Sequence, residues 1–284
     1  MDSDPHSGEV GLVEPLPDLP AWTDYFLAAE IPVMRSTAET LEALRANEDM
    51  TDANSIGQMI AGDPMMTLKV LAHASRLRTE RVVTPPETVT AALVMMGISP
   101  FFRAFPPQPT IEERLAGSPA ALAGLSHVVR RAHRSADFAL AFSIHRTDPN
   151  AASIHAAALL HEFVEMLMWL HAPQLALRIQ SAQDSDPTLR SQAAQQAVLG
   201  IDCMALQAVL VSTWGLPTLL HQLWTTGQGN AAGARTVMLA ADLARHSAAG
   251  WDNAALADDF AHASELLSMS PDAVMELARA VDSM

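Results

Sequence analysis

The stretch AAALLHEFVEML, Ala156 to Leu167, sets His161 beside Glu162 in a run that is otherwise apolar except for Glu165. An imidazole next to a carboxylate is a pairing that ligates metals and moves protons, so the chemistry it implies is the first thing to test. The metalloprotease pattern H-E-x-x-H fails at once, because the residue four after His161 is Glu165. There is no G-x-S-x-G elbow for a serine nucleophile, and neither phosphate-cradling glycine pattern occurs. GQGNAAGA, from Gly227 to Ala234, follows a helical run rather than a strand and reads as a turn. A second cluster, VVRRAHR, brings Arg130, Arg131 and Arg134 close to His133, a set that suits an anionic ligand or an acidic surface and equally a solvated helix face.

Adjacent residues on a helix point about 100° apart, so His161 and Glu162 cannot share one stripe, and one of them requires a partner from another helix. The elements that must supply it read as helices throughout. In DPMMTLKVLAHASRL, Asp63 is placed to cap and Pro64 suits the first helical position, with Met65, Leu68, Leu71 and Ala72 on one face. TPPETVTAALVMMGI offers Thr84 as a cap, a stripe of Val89, Leu93 and Met96, and a stop at Gly97. Long alanine-rich runs follow, ALAGLSHVVRRAHRSADFALAFSIH and DPNAASIHAAALLHEFVEMLMWLHAP; the second is expected to be capped by Asp148 and to close before Pro173. The fold expected is all-α.

Five prolines, Pro100, Pro106, Pro107, Pro109 and Pro119, forbid a continuous helix through the segment between the early and late helices. The expected organisation is an acidic, proline-rich arm at 1–20, disordered or extended, and one domain at 21–284. That domain divides into an N-terminal helical subdomain (21–100), a proline-rich junction (101–119) and a larger helical bundle (120–284). Methionines such as Met65, Met66, Met95 and Met96 suit either core packing or an adaptable binding surface, with helical spacing favouring the core.

Composition limits the function classes. The 284 residues carry 17 basic and 32 acidic side chains, a net charge of −15, which opposes binding to nucleic acid. The single cysteine, Cys203, excludes an intrachain disulfide and a cysteine-based zinc finger, and fits the cytoplasm. Apolar runs are too short to span a membrane, and the acidic start lacks the pattern of a secretion signal.

The order of the segments resembles the HDOD family, the degenerate output relatives of HD-type metal phosphohydrolases. IPVMRSTAETLEAL, IAGDPMMTLKVLAHAS and TPPETVTAALVMMGI are similar to its early signature; RRAHRSADFALA, ALLHEFVEML, VSTWGLPTLL and AADLARH are similar to its HD-derived bundle. The resemblance runs over roughly residues 25–270 and implies an HD-like multi-helix bundle preceded by a smaller helical subdomain. It maps the metal positions of the catalytic superfamily to His133, His161, Glu162 and Asp242. Glu162 stands where the superfamily has Asp, and the extra methylene displaces the carboxylate by about a C–C bond, beyond the ±0.2 Å a ligand set tolerates. The histidine pair common after the W-x-L-P segment is missing from LWTTGQG.

The resemblance therefore implies a non-catalytic bacterial signal-transduction protein that works in the cytoplasm by contact with other signalling proteins, with no cofactor and vestigial metal positions. Two alternatives stay open. One is a divergent phosphohydrolase acting on a nucleotide or other phosphoester, with Fe, Mn, Mg or Zn at those four residues and Arg130, Arg131 or Arg134 holding phosphate. The other is a small-ligand sensor using the former catalytic cavity.

Overall fold

The computed structural model describes residues 11–77, 85–186, 188–224 and 232–283. Among these the protein is helical, with no strand beyond one isolated parallel bridge between Val33 and Thr110.

Of the expected arm, residues 1–10 lie outside the described residues. Residues 11–20 correct the expectation of an unpacked segment: the Leu12 amide donates to the His171 carbonyl at 2.7 Å, and Leu12, Leu16 and Leu19 pack against the core. Three leucines among the prolines bury enough apolar surface to hold the chain down. Gly11, at φ +107°, adopts a conformation other residues avoid, and a side chain there would overlap the His171 carbonyl.

α1 (Leu19–Ala28) opens on an Asp18 cap and buries Trp22 and Phe26. α2 (Arg35–Arg45) and α3 (Ala53–Ile60) follow, and α4 (Pro64–Arg76) begins as its sequence requires, with Asp63 Oδ1 accepting from the Met65 and Met66 amides at 2.9 and 3.0 Å. The other Asp63 oxygen accepts from the Met34 amide at 2.7 Å, so one buried carboxylate fixes both a helix start and a crossing connection. Met65 and Met66 are fully buried, whereas Met95 and Met96 are half-buried against the core.

The expected cap Thr84 lies outside the described residues. α5 (Val89–Met96) is capped instead by Thr88, whose hydroxyl accepts from the Ala91 amide at 3.2 Å, and it ends at Gly97, where φ is +83°. α6 (Ile98–Ala104) and α7 (Ile111–Arg114) are short because of the intervening prolines, and Thr110 and Glu113 close a capping box on α7. The junction is pinned to the early helices by Val33, whose amide donates to the Pro109 carbonyl at 3.0 Å and whose carbonyl accepts from Ile111 at 2.8 Å.

α8 (Pro119–His145) is the long central helix. The next run is not one helix, as expected, but α9 (Ala151–Leu159) and α10 (Phe163–His171). The chain breaks at Leu160, His161 and Glu162, and Glu162 leaves helical geometry at φ −115°, ψ +29°. α9 starts after Asn150; Asp148 accepts from the Asn150 amide at 3.0 Å rather than capping the helix.

α11 (Pro173–Ser185), α12 (Ser191–Leu199), α13 (Cys203–Trp214), α14 (Thr218–Trp224), α15 (Ala232–His246), α16 (Leu256–Leu267) and α17 (Pro271–Asp282) complete the bundle. The glycine run preceding α15 lies mostly outside the described residues. α8 packs along α9, α10 and α15, α1 lies against α13, and α4 touches α10 and α13. One hydrophobic cluster consequently runs from Trp22 to Ala278. No single helix among the described residues is long and apolar enough to cross a membrane.

Candidate functional site

Gly124, His127, Val128 and Arg131 recur on one face of α8 at helical spacing and form one wall of a cavity of about 440 Å³. The α9–α10 turn supplies His161 and Glu162, α10 supplies Glu165, Met168 and Trp169, and α15 supplies Met238, Asp242 and Arg245. Glutamines from α11, α12 and α13 and the indole of Trp224 close the remainder. Gly124 allows the close approach of Trp169: a methyl group at 124 would overlap the indole ring.

A charged network crosses this cavity. Arg131 Nε donates to Glu162 Oε2 at 2.5 Å and its Nη2 donates to Glu165 Oε2 at 2.7 Å. Arg245 Nη2 donates to the other Glu162 oxygen at 2.8 Å, while its Nη1 stands 3.8 Å from Asp242 Oδ1. Both Glu162 oxygens are thus engaged by guanidinium groups. Burial raises the Glu162 pKa, but Arg131 and Arg245 outweigh it and hold the carboxyl down at about 2. Glu165 is pushed up, first by burial and then by Glu162. Burial likewise raises Asp242, against the pull of Arg245. For Arg131 burial opposes the charge, and Glu165 with Glu162 more than restores it, so the guanidinium stays protonated.

His161 is 5 % exposed, and among the described residues neither ring nitrogen has a hydrogen-bond partner. Its ring centroid is 4.9 Å from that of Trp224, whose buried indole nitrogen likewise has no partner among the described residues. The Gln207 side-chain amide donates to the His161 backbone carbonyl and so fixes the turn. Burial lowers the His161 pKa, leaving the imidazole neutral at neutral pH.

Three of the four expected metal positions, His161, Glu162 and Asp242, therefore meet at one cavity; His133 does not. Its Nε2 donates to the Gly62 carbonyl at 2.9 Å, toward the α3–α4 turn, because two residues along a helix from Arg131 place it on a different face. Among the described residues no three His, Cys, Asp or Glu side chains converge as a metal site. The residues present do not fit a divalent ion: Glu162 has no free oxygen, and two fixed cations already occupy its surroundings. Cys203 lines the cavity with a thiol pushed up to about 12, chiefly by burial and then by Glu165, so it offers no ready nucleophile.

The three arginines separate. Arg131 belongs to the network. Arg134 ties α8 to α15 and α17, pairing with Asp282 at 2.5 Å and donating to Ser247 at 2.8 Å, with its guanidinium over Phe138. Arg130 is exposed and donates to the His127 ring at 3.2 Å. Sequence reasoning missed Arg245, Gln207 and Trp224, and it noted Glu165 only as the residue that spoils a protease motif. The one local signal was Asp242 three residues before Arg245, a spacing that places them as neighbours on α15.

The HDOD domain family model matches residues 31–228, more than half of the chain. No curated protein matches it. Among solved structures, the chain is similar to the MmoQ response regulator of Methylococcus capsulatus, with 19 % identity, a TM-score of 0.63, and coverage of 89 % of this chain and 99 % of that one. It is also similar to a virulence factor of Campylobacter jejuni, at 14 % identity and a TM-score of 0.57, covering 89 % of this chain and 90 % of the other. At these identities the likeness is one of fold.

Proposed function

The chain belongs to the HDOD family, and from that premise we propose that it is a non-catalytic regulatory protein of bacterial signal transduction. In this reading it acts in the cytoplasm through contacts with other signalling proteins, binds no nucleic acid and requires no cofactor. The net charge of −15 supports the exclusion of nucleic acid. The observation that carries the reading is the engagement of both Glu162 oxygens by Arg131 and Arg245. A catalytic metal needs deprotonated ligands, an open coordination position and an ordered water. Here a pair of guanidinium groups takes up the carboxylate instead, and His133 is directed elsewhere.

The deciding experiment is elemental analysis of protein purified without chelator or metal-affinity tag, with a turnover assay on nucleotide and other phosphoesters in Mg²⁺, Mn²⁺ or Fe²⁺. The expected result is no stoichiometric metal and no turnover. One metal ion per chain, lost together with turnover in His161→Ala, would overturn the proposal in favour of a phosphohydrolase.

A further inference from the structure

A second cavity, of about 370 Å³, lies among α1, α4 and the proline-rich junction and shares no lining residue with the first. Lys69, His73 and Arg76 all line it, because positions i, i+4 and i+7 of α4 return to one helix face. Lys69 is the one lysine in the chain. It is half-buried, and its ammonium donates to the side-chain oxygen of Gln108, whose own amide donates to the Pro106 carbonyl. An ammonium carries three donors and a full charge, so this neutral partner leaves most of its demand unmet.

A half-buried cation ordinarily stands beside a carboxylate. Elsewhere in this protein that pattern holds: Arg45 pairs with Glu42, Arg131 with Glu162, Arg134 with Asp282 and Arg146 with Asp148. Among the described residues neither Lys69 nor Arg76 has a carboxylate at ion-pair distance. Glu30, exposed at the rim, is the one carboxylate lining the cavity. Burial lowers the Lys69 pKa against the pull of Glu30 and Asp63, as happens to an ammonium without a close counter-ion. Burial and then Arg76 lower the His73 pKa, so the imidazole adds no charge at neutral pH. Two cations against one carboxylate leave an excess positive charge at this site, in a chain whose total is −15.

We propose that this cavity binds a small organic monocarboxylate. The Lys69 ammonium receives the carboxylate, the exposed Arg76 guanidinium attracts it from the rim, and Leu27, Phe105 and Pro107 take its apolar body. One negative charge cancels the excess, whereas a phosphate dianion overshoots it. Pro106, Pro107 and Pro109 also give the junction wall no amide N–H, the group on which phosphate sites depend. A cation is repelled by the same two side chains. The assignment goes beyond the non-catalytic reading and does not depend on it, since the two cavities have no residue in common.

The probe is 2-naphthoate, with 2-naphthamide as its neutral isostere and 2-naphthyl phosphate as the dianion. Titration calorimetry on the full chain is expected to show one naphthoate site per chain, at least about tenfold tighter than either control. Lys69→Met keeps the stem and removes the charge, and it is expected to weaken naphthoate about tenfold, the loss of one charged hydrogen bond. Arg76→Gln should weaken it only about threefold, because an exposed guanidinium is screened by water. Circular dichroism of each variant separates loss of the site from loss of the fold. The wild-type chain gives an independent readout, because Lys69 is its only side-chain amine. After brief acetylation, mass spectrometry should find Lys69 protected by naphthoate and not by naphthamide. Either control binding as tightly as naphthoate would overturn the proposal, as would unchanged affinity in Lys69→Met, an unprotected Lys69 at saturating naphthoate, or the absence of saturable binding. Each of these results leaves the non-catalytic reading standing, and metal-dependent turnover would remove that reading whatever the probe does.

Discussion

The Arg131 guanidinium on α8 meets the Glu162 carboxylate in the α9–α10 turn at 2.5 Å, with the two side chains only 20 % and 14 % exposed. Thirty-one positions separate them in the chain, and their contact locates the turn that interrupts what would otherwise be one continuous helix. The same carboxylate reaches Arg245 on α15, so one side chain joins three elements of the bundle.

Removing Arg131 leaves Glu162 and Glu165 largely buried with one cation between them. Arg131→Leu is therefore expected to destabilise the protein by about 3 kcal/mol, the scale seen when one partner of a buried pair is deleted. Arg131→Leu combined with Glu162→Gln should lose less than the sum of the two single changes, because the second substitution removes the stranded charge. Urea denaturation of the four proteins measures this; strict additivity would show that the pair is not coupled.

A second prediction concerns pH. His171 on α10 is buried, edge-on to Tyr25 and Phe26, and its pKa is lowered to about 4 by burial, with Arg114 acting in the same direction. The unfolded chain binds this proton near its ordinary pKa of 6.5, whereas the folded chain resists it down to about 4. The stabilising contribution is then full above about 6.5 and is lost as pH falls toward 4, amounting to at most about 3 kcal/mol. His161, whose pKa is also lowered, adds a loss of the same sign. Denaturant unfolding at neutral pH and at the acid end of this window should show a shallower decline for His171→Phe than for wild type. Equal slopes would sink the assignment.

The third prediction is chemical. With its thiol pushed up to about 12, Cys203 carries very little thiolate near neutrality. Iodoacetamide should alkylate the native protein at mildly alkaline pH roughly a thousandfold more slowly than free cysteine, reflecting the smaller thiolate fraction. Denaturation should restore the ordinary rate. Mass spectrometry of timed samples checks both rates, and rapid labelling of the folded chain would contradict the raised thiol pKa.

Much of the helical architecture is written in local signals. Asp63 and Pro64 start α4, Gly97 ends α5, Pro119 opens α8 and Ser270 with Pro271 opens α17, each because capping and proline geometry act within one turn. The same reasoning joined α9 to α10, since nothing within that stretch is a helix breaker. Propensity favours continuation there; the break is held by Arg131 and Arg245 on Glu162 and by Gln207 on the His161 carbonyl. Those residues are distant in sequence, and local propensity carries no information about them.

Taken alone, the sequence determined the all-α class, the helix starts marked by caps and prolines, and the acidic balance, because residue type and short-range spacing are sufficient for these; His161, Glu162 and Asp242 are grouped as one site only by what the family resemblance implies. Only the tertiary structure decided that His133 points away to the Gly62 carbonyl, that Glu162 is taken up by two arginines, and that the His161 ring packs against Trp224. The physical reason is that charge pairing and burial are fixed by which helices cross, and the crossing of α8, α15 and the α9–α10 turn is a property of the packed core.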